Sequence, residues 1–92
     1  MQVKVVNYGF NDEKNLNFVN YRVSGLNEDS QKKLIDRLEE ETEISSGELV
    51  VTVFFEKEYF PFGSEEAVIR MDDFIAREEI EMNVFLSSVL ED

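Results

Sequence analysis

Residues 49–55 have the sequence LVVTVFF. Valine, threonine and phenylalanine favour β-structure, and apolar side chains occupy both odd and even positions of this run. Because successive side chains of a strand point to opposite faces, this strand is apolar on both faces, which favours a central position in the sheet. We therefore predict a strand from residue 48 to about residue 57, at the centre of the sheet.

The first quarter of the chain has the pattern of a β-hairpin. Residues 2–10 are rich in β-branched and aromatic types, which are typical of strands. Residues 16–24 alternate with a period of two, which puts Val19, Tyr21 and Val23 on one face. The intervening sequence, NDEKN at residues 11–15, has the composition of a turn.

A helix is predicted after the hairpin. Asn27 is a favourable N-cap, and Glu28 and Asp29 would lie in the first turn, where the helix dipole favours carboxylates. We expect this helix to continue to about Glu43 and to end at the Ser-Ser-Gly sequence of residues 45–47. The helix would lie on the sheet with most of its surface in water, because its apolar stripe holds only Leu34, Ile35 and Leu38.

The residues from 64 onward allow two interpretations. In the first, one helix of about 26 residues starts at Ser64 and carries a stripe that repeats every seven residues. That stripe consists of Val68, Met71, Ile75, Glu78, Met82, Phe85 and Val89. In the second, residues 67–71 form a further strand, and a shorter helix starts at Asp72 or Asp73 and ends near Leu90. The sequence leaves both open.

Both interpretations lead to the same fold class. Ninety-two residues suit a single domain, covering 1–92. We predict a two-layer α+β domain with the order β-β-α-β-(β)-α, in which an antiparallel sheet carries both helices on one face. The side chains expected in its core are Leu34, Leu38, Val51, Val53, Phe55, Met82 and Phe85.

The composition excludes several kinds of chemistry. The chain has no cysteine and no histidine, so it lacks a thiol nucleophile, an imidazole base and the commonest zinc ligands. Its four glycines are far apart, which excludes a glycine-rich phosphate loop. The acidic clusters match no metal-binding or catalytic spacing. We expect no catalytic residue, no metal site and no cofactor; a carboxylate or Mg²⁺-dependent enzyme is the least favoured alternative.

The charge of the chain is strongly negative and unevenly distributed. The net charge is −12, from 9 basic and 21 acidic residues. Residues 1–26 hold three cations against two carboxylates, so residues 27–92 carry almost all of the negative charge. Such a chain repels nucleic acids and anionic membranes, and we expect it to bind neither directly. The charge serves either solubility alone or attraction to a basic protein partner.

Two groups of residues are candidates for binding that partner. The first is an acidic surface made of Glu39, Glu40, Glu43, Asp72, Asp73 and Glu79. The second is a set of apolar anchors made of Tyr59, Phe60, Phe62, Ile80 and Val84. The aromatic anchors either cover the core as a lid or insert into a partner. Ile80 and Val84 lie nearly opposite the seven-residue stripe, so we expect them to be exposed one helical turn apart.

These features predict a non-catalytic, acidic protein-binding module. Its most concrete form is an inhibitor or regulator that docks a basic surface of a partner, including a surface that binds nucleic acid. Small phage or mobile-element counter-defence proteins and immunity proteins share this size and charge. The alternative is a structural or assembly subunit, including a homodimer, that associates through apolar contacts. The N-terminal residues lack a signal-peptide pattern and no apolar run could span a bilayer, so we expect a cytoplasmic location.

Overall fold

The computed structural model describes residues 1–56 and 65–91, with side-chain surroundings for all of these except residues 65–70. The described residues form a four-stranded antiparallel sheet and two helices, which confirms the predicted α+β fold. The strands are ordered β1-β2-β4-β3 across the sheet. The elements along the chain are β1 (Gln2–Asn11), β2 (Leu16–Ser24), α1 (Glu28–Arg37), β3 (Glu41–Ser45), β4 (Glu48–Phe55) and α2 (Glu65–Glu91).

The predicted hairpin is present as β1 and β2. Their turn includes Asn15 at a φ of 54°, in the left-handed region that asparagine tolerates better than most residues. The register shifts between Val5 and Asn7, so β1 contains a bulge at Val6. On β2, Val19, Tyr21 and Val23 all face the core, as their alternation predicts.

The first helix begins as predicted but ends earlier. The Asn27 side chain accepts a hydrogen bond from the Ser30 amide at 2.8 Å, and the helix ends at Arg37 rather than near Glu43. Residues 41–45 form β3 instead, which pairs with β4. Ser46 and Gly47 both have positive φ, 52° and 80°, as a two-residue type I′ hairpin requires. The Ser-Gly pair that was expected to end a helix therefore turns a hairpin.

The second helix resolves the ambiguity at residues 67–71. These residues are helical, so the prediction of a strand there is wrong and the long helix is confirmed. The fourth strand of the sheet is β3, which precedes β4 in the sequence, whereas the predicted strand at residues 67–71 would have followed it. With 27 residues, α2 is about 40 Å long at 1.5 Å per residue.

The core lies between one face of the sheet and the two helices. Leu34, Val51 and Met82 are buried as predicted, and Leu38, Val53 and Phe55 are partly buried against them. Both helices contribute to the same cluster, whose buried members are Val3, Val19, Tyr21, Val23, Leu34, Leu49, Val51, Met71, Met82 and Leu86.

The prediction that Phe85 is buried is wrong. Phe85 is 44% exposed, whereas its neighbour Leu86 is fully buried. A straight helix has 3.6 residues per turn, so a strict seven-residue stripe drifts by about 20° per repeat relative to it. Two repeats beyond Met71, Phe85 lies about 40° to one side of Met71 around the helix, whereas Leu86 lies to the other side, together with the buried Met82.

The end of α2 is held by α1. The last turn of α2 contains no basic residue of its own. The Lys33 Nζ donates to the Leu90 carbonyl at 2.6 Å, and the Arg37 Nη1 donates to the Val89 carbonyl at 2.9 Å. These cations satisfy carbonyls that have no partner within the helix and lie at the negative end of its dipole.

The side of α2 that faces the core can be tested with alanine substitutions at two neighbouring residues. We expect Leu86→Ala to lower the free energy of unfolding by about 3 kcal/mol, because it leaves a cavity in the core. Phe85→Ala should cost roughly 1 kcal/mol, because much of that ring is already in water. Urea unfolding of both variants measures the difference, and a larger loss for Phe85→Ala would contradict this packing.

Candidate interaction surface

The outward side of α2 carries two large apolar side chains. Ile80 is 66% exposed and Val84 is 65% exposed, which confirms the position predicted for them. Ala76 and Ser88, one turn before and one turn after, are exposed as well. These four residues are spaced four apart, so they form one continuous ridge along the helix. We call Ala76, Ile80, Val84 and Ser88 the α2 ridge.

A groove runs beside this ridge. Ile80 and Val84 form one wall, and Met1 and Val3 at the outer edge of β1 form the other. Its volume is about 330 Å³. Within the described part of the chain, β1 is an edge strand that pairs with β2 only. We call this space the β1–α2 groove.

Two side chains of α2 hydrogen-bond to the backbone of β1 inside the groove. The Glu79 Oε2 accepts from the Val5 amide at 3.0 Å. The Asn83 Nδ2 donates to the Met1 carbonyl oxygen at 3.5 Å. These are backbone groups that another strand would otherwise use, so the two side chains partly cover the sheet edge.

The charge around the groove is mostly negative. From residue 71 to residue 91, α2 has six carboxylates and one guanidinium, that of Arg77. Asp72, Asp73, Glu81 and Glu91 are exposed, whereas Glu79 is half-buried by its bond to β1. The helix that carries the apolar ridge therefore exposes four carboxylates and one guanidinium over these residues.

The structure does not bring the predicted acidic residues into one surface. Glu39 and Glu40 lie between α1 and β3, and Glu43 lies on β3 opposite Val50. The other three, Asp72, Asp73 and Glu79, are on α2, which packs along β1. Glu43 pairs with Val50, which lies between the core residues Leu49 and Val51, so its side chain points to the sheet face opposite the helices. Glu79 also has a structural bond that sequence reasoning did not anticipate.

The remaining expectations from the sequence concern the aromatic anchors, metal binding and membrane spans. Tyr59, Phe60 and Phe62 lie outside the described residues. In the part of the chain that the structure covers, no three acidic side chains converge as metal ligands would. Across the same residues, neither helix is both long enough and apolar enough to cross a bilayer.

The sheet face opposite the helices carries polar side chains that pair with one another. The Thr52 hydroxyl donates to the Asn20 Oδ1 at 2.6 Å, beside Glu41 and Glu43. The Glu41 carboxylate lies 3.6 Å from the Lys14 ammonium. These polar groups therefore satisfy one another, and the partly exposed Phe18 and Phe54 lie on the same face.

A buried tyrosine and a carboxylate join α2 to the centre of the sheet. Tyr21 is fully buried, and its hydroxyl donates to the Glu78 Oε2 at 3.1 Å. Burial raises the pKa of the Glu78 carboxyl, and the negative charge of Glu81 acts in the same direction. The Tyr21 hydrogen bond and the Arg77 charge oppose this shift. Burial and the Glu78 charge raise the pKa of Tyr21, so its hydroxyl stays a donor.

Sequence reasoning also missed a polar residue in the core. Asn17 is fully buried on β2, opposite Phe55 of β4. Its amide oxygen and nitrogen have no hydrogen-bond partner among the described residues. An unpaired buried amide costs about 1–3 kcal/mol. The period-two alternation, which puts residue 17 on the same face as Val19, was the signal that could have placed it there.

Comparison with known proteins gives a family without an assigned activity. Residues 2–92 match a family of unknown function (DUF5750). The chain belongs to this family. The match includes both helices and all strands described above. No curated protein matches the chain.

The Glu78 environment predicts how stability depends on pH. Folding raises the pKa of this carboxyl, so the charged form of Glu78 opposes folding. The free energy of unfolding therefore decreases as pH rises through the folded-state pKa. Glu78→Gln mimics the protonated group and can still accept from Tyr21. We expect it to be more stable than the wild type at neutral pH, with the difference shrinking as pH falls towards the ordinary glutamate pKa.

Asp72→Asn is the matched control for this test, since it removes the same charge from an exposed position on the same helix and does not shift the Glu78 pKa. Urea unfolding of the three proteins across that pH range separates the local effect from the loss of overall charge. Equal stabilisation by both substitutions at every pH would show that burial of Glu78 has no such effect.

Proposed function

We propose that this protein is a non-catalytic binding module that docks a basic surface of another protein. The observation that carries the proposal is the α2 ridge, where Ile80 and Val84 are about two-thirds exposed within an acidic surface. Single exposed apolar residues are common, but two on one ridge beside a groove are typical of a binding site. The apolar pair would supply contact area, and the carboxylates would select a basic partner.

The overall charge supports the same proposal at longer range. A net charge of −12 attracts a cationic surface before contact and raises the rate of association. In its most specific form, the proposal makes the protein an inhibitor of a nucleic-acid-binding protein. Its carboxylates would then occupy positions at which the partner binds phosphates.

The chemistry of the described carboxylates supports a non-catalytic role. A carboxyl with a raised pKa is a candidate general acid, and Glu78 has such a pKa. However, Glu78 is bonded to the fully buried Tyr21, and the β1–α2 groove is lined by Glu79 rather than by Glu78. The raised pKa is accounted for by packing of α2 on the sheet.

The exposure of Ile80 and Val84 also favours a second candidate function, an assembly subunit that associates through apolar contacts. In that case the acidic residues would serve solubility only. The two candidates differ in their response to salt, because added salt screens charge attraction and leaves apolar contact almost unchanged.

Charge reversal tests the proposal once a partner has been identified by affinity capture from the source cell. One variant changes Asp72, Asp73 and Glu81 to lysine, and the other changes Glu39, Glu40 and Glu43. Each moves the net charge from −12 to −6. Glu79 is left unchanged because its carboxylate holds β1. We expect the α2 variant to slow association by about tenfold at low salt, and the other variant to slow it less.

The two variants serve as controls for each other, since they change the charge equally, one on α2 and the other on β3 and the connection before it. Stopped-flow or surface-based kinetics at two or more salt concentrations measures the association rate. If neither variant alters that rate at low salt, the charge does not steer binding and the assembly subunit becomes the better proposal.

A further inference from the structure

The structure offers a specific kind of occupant for the β1–α2 groove. We propose that the groove binds a basic, amphipathic α-helix of the partner protein. This inference rests on the proposed function and identifies the site and the recognised segment. Three observations support it: the spacing of the α2 ridge, the hydrogen bonds that the β1 backbone already makes with α2, and the charges exposed on α2.

The shape of the site suits a helix. The α2 ridge follows a spacing of four residues, and ridges of this spacing pack into the grooves of a second helix. Large side chains occupy its middle, at Ile80 and Val84, and the small residues Ala76 and Ser88 occupy its ends. A second helix that crosses α2 at the middle of the ridge can take Ile80 and Val84 into its own groove, and the small end residues do not obstruct its oblique path.

The backbone of β1 favours a helix over an added strand. A strand that joins a sheet needs free amides and carbonyls at the edge. In this groove, Glu79 already accepts from the Val5 amide and Asn83 already donates to the Met1 carbonyl. A helix satisfies its own backbone groups and would need none of those on β1.

The charge favours a basic partner over a second copy of this chain. A symmetric pairing of two α2 ridges would bring together two helices that each have six carboxylates and one guanidinium over residues 71–91. Like charges at an interface oppose association. A helix with lysine or arginine beside its apolar stripe would instead face Asp73, Glu81 and Glu91, which are exposed on α2.

Synthetic peptides test this inference on the full chain. The probe is a peptide of about 18 residues, or five helical turns, with leucines every three or four positions and lysines elsewhere. A second peptide has the same composition but alternates leucine and lysine, as a strand would. A third replaces every lysine of the first with glutamate.

Site variants show where each peptide binds. The paired substitution Ile80→Ser and Val84→Ser removes the apolar centre of the ridge. Ile44→Ser is the matched control, because Ile44 is 49% exposed on β3 at the opposite edge of the sheet. Unfolding curves of all variants establish that they fold, and amide chemical shifts locate the peptide on the protein.

We expect the helical basic peptide to bind, with shifts concentrated at residues 76–88 and 1–5. The paired Ile80 and Val84 variant should bind it roughly tenfold more weakly, whereas Ile44→Ser should bind it as the wild type does. The acidic peptide should not bind.

Three results would overturn the inference. Tighter binding of the alternating peptide, with shifts along β1, would make the occupant a strand. Binding that is insensitive to Ile80 and Val84 would reduce it to unspecific charge attraction. Self-association of the wild type that is lost in the paired variant would make the occupant a second copy.

The outcome also separates this inference from the proposed function. If an identified basic partner still binds the paired Ile80 and Val84 variant in a salt-dependent way, the site assignment is wrong and the proposed function stands. If neither a basic peptide nor a basic protein binds the wild type, both are wrong.

Discussion

The packing of α2 on the sheet determines which side chains this protein presents to solvent. The helix is fixed in rotation by Met82 and Leu86 on the core side. Its Glu78 carboxylate also accepts a hydrogen bond from the Tyr21 hydroxyl, and its Glu79 carboxylate accepts one from the Val5 amide. A rotation that exposed Leu86 would break the packing and both bonds together. With that rotation fixed, Ile80 and Val84 have no place in the core and must face water.

Features with a local cause could be predicted from the sequence. The hairpin follows from its period-two alternation, the start of α1 from the Asn27 cap, and the exposure of Ile80 and Val84 from helical spacing alone. The end of α1 is harder to predict, because the four glutamates among residues 39–43 suit a helix and β3 has only five residues. The Ser46-Gly47 pair was the available signal, since it suits both a helix end and a type I′ turn.

Features that depend on contacts between distant residues could not be predicted. Phe85 and Leu86 are neighbours of similar hydrophobicity, and only the side on which α2 contacts the sheet decides between them. Glu79 resembles any surface carboxylate until β1 is placed beside it. The same holds for the acidic surface as a whole, because the sequence does not show that Glu43 points away from the sheet face on which α2 and Asp73 lie.

The bond between Val5 and Glu79 also has a consequence for how the chain folds. It joins residues 74 positions apart, and it links the first strand to the last helix. Such a distant contact adds a large entropic cost to closure of the chain and slows folding relative to proteins with local contacts. During synthesis, the outer edge of β1 therefore stays uncovered until α2 has left the ribosome. Repulsion between the many carboxylates of the chain opposes aggregation at that edge over this interval.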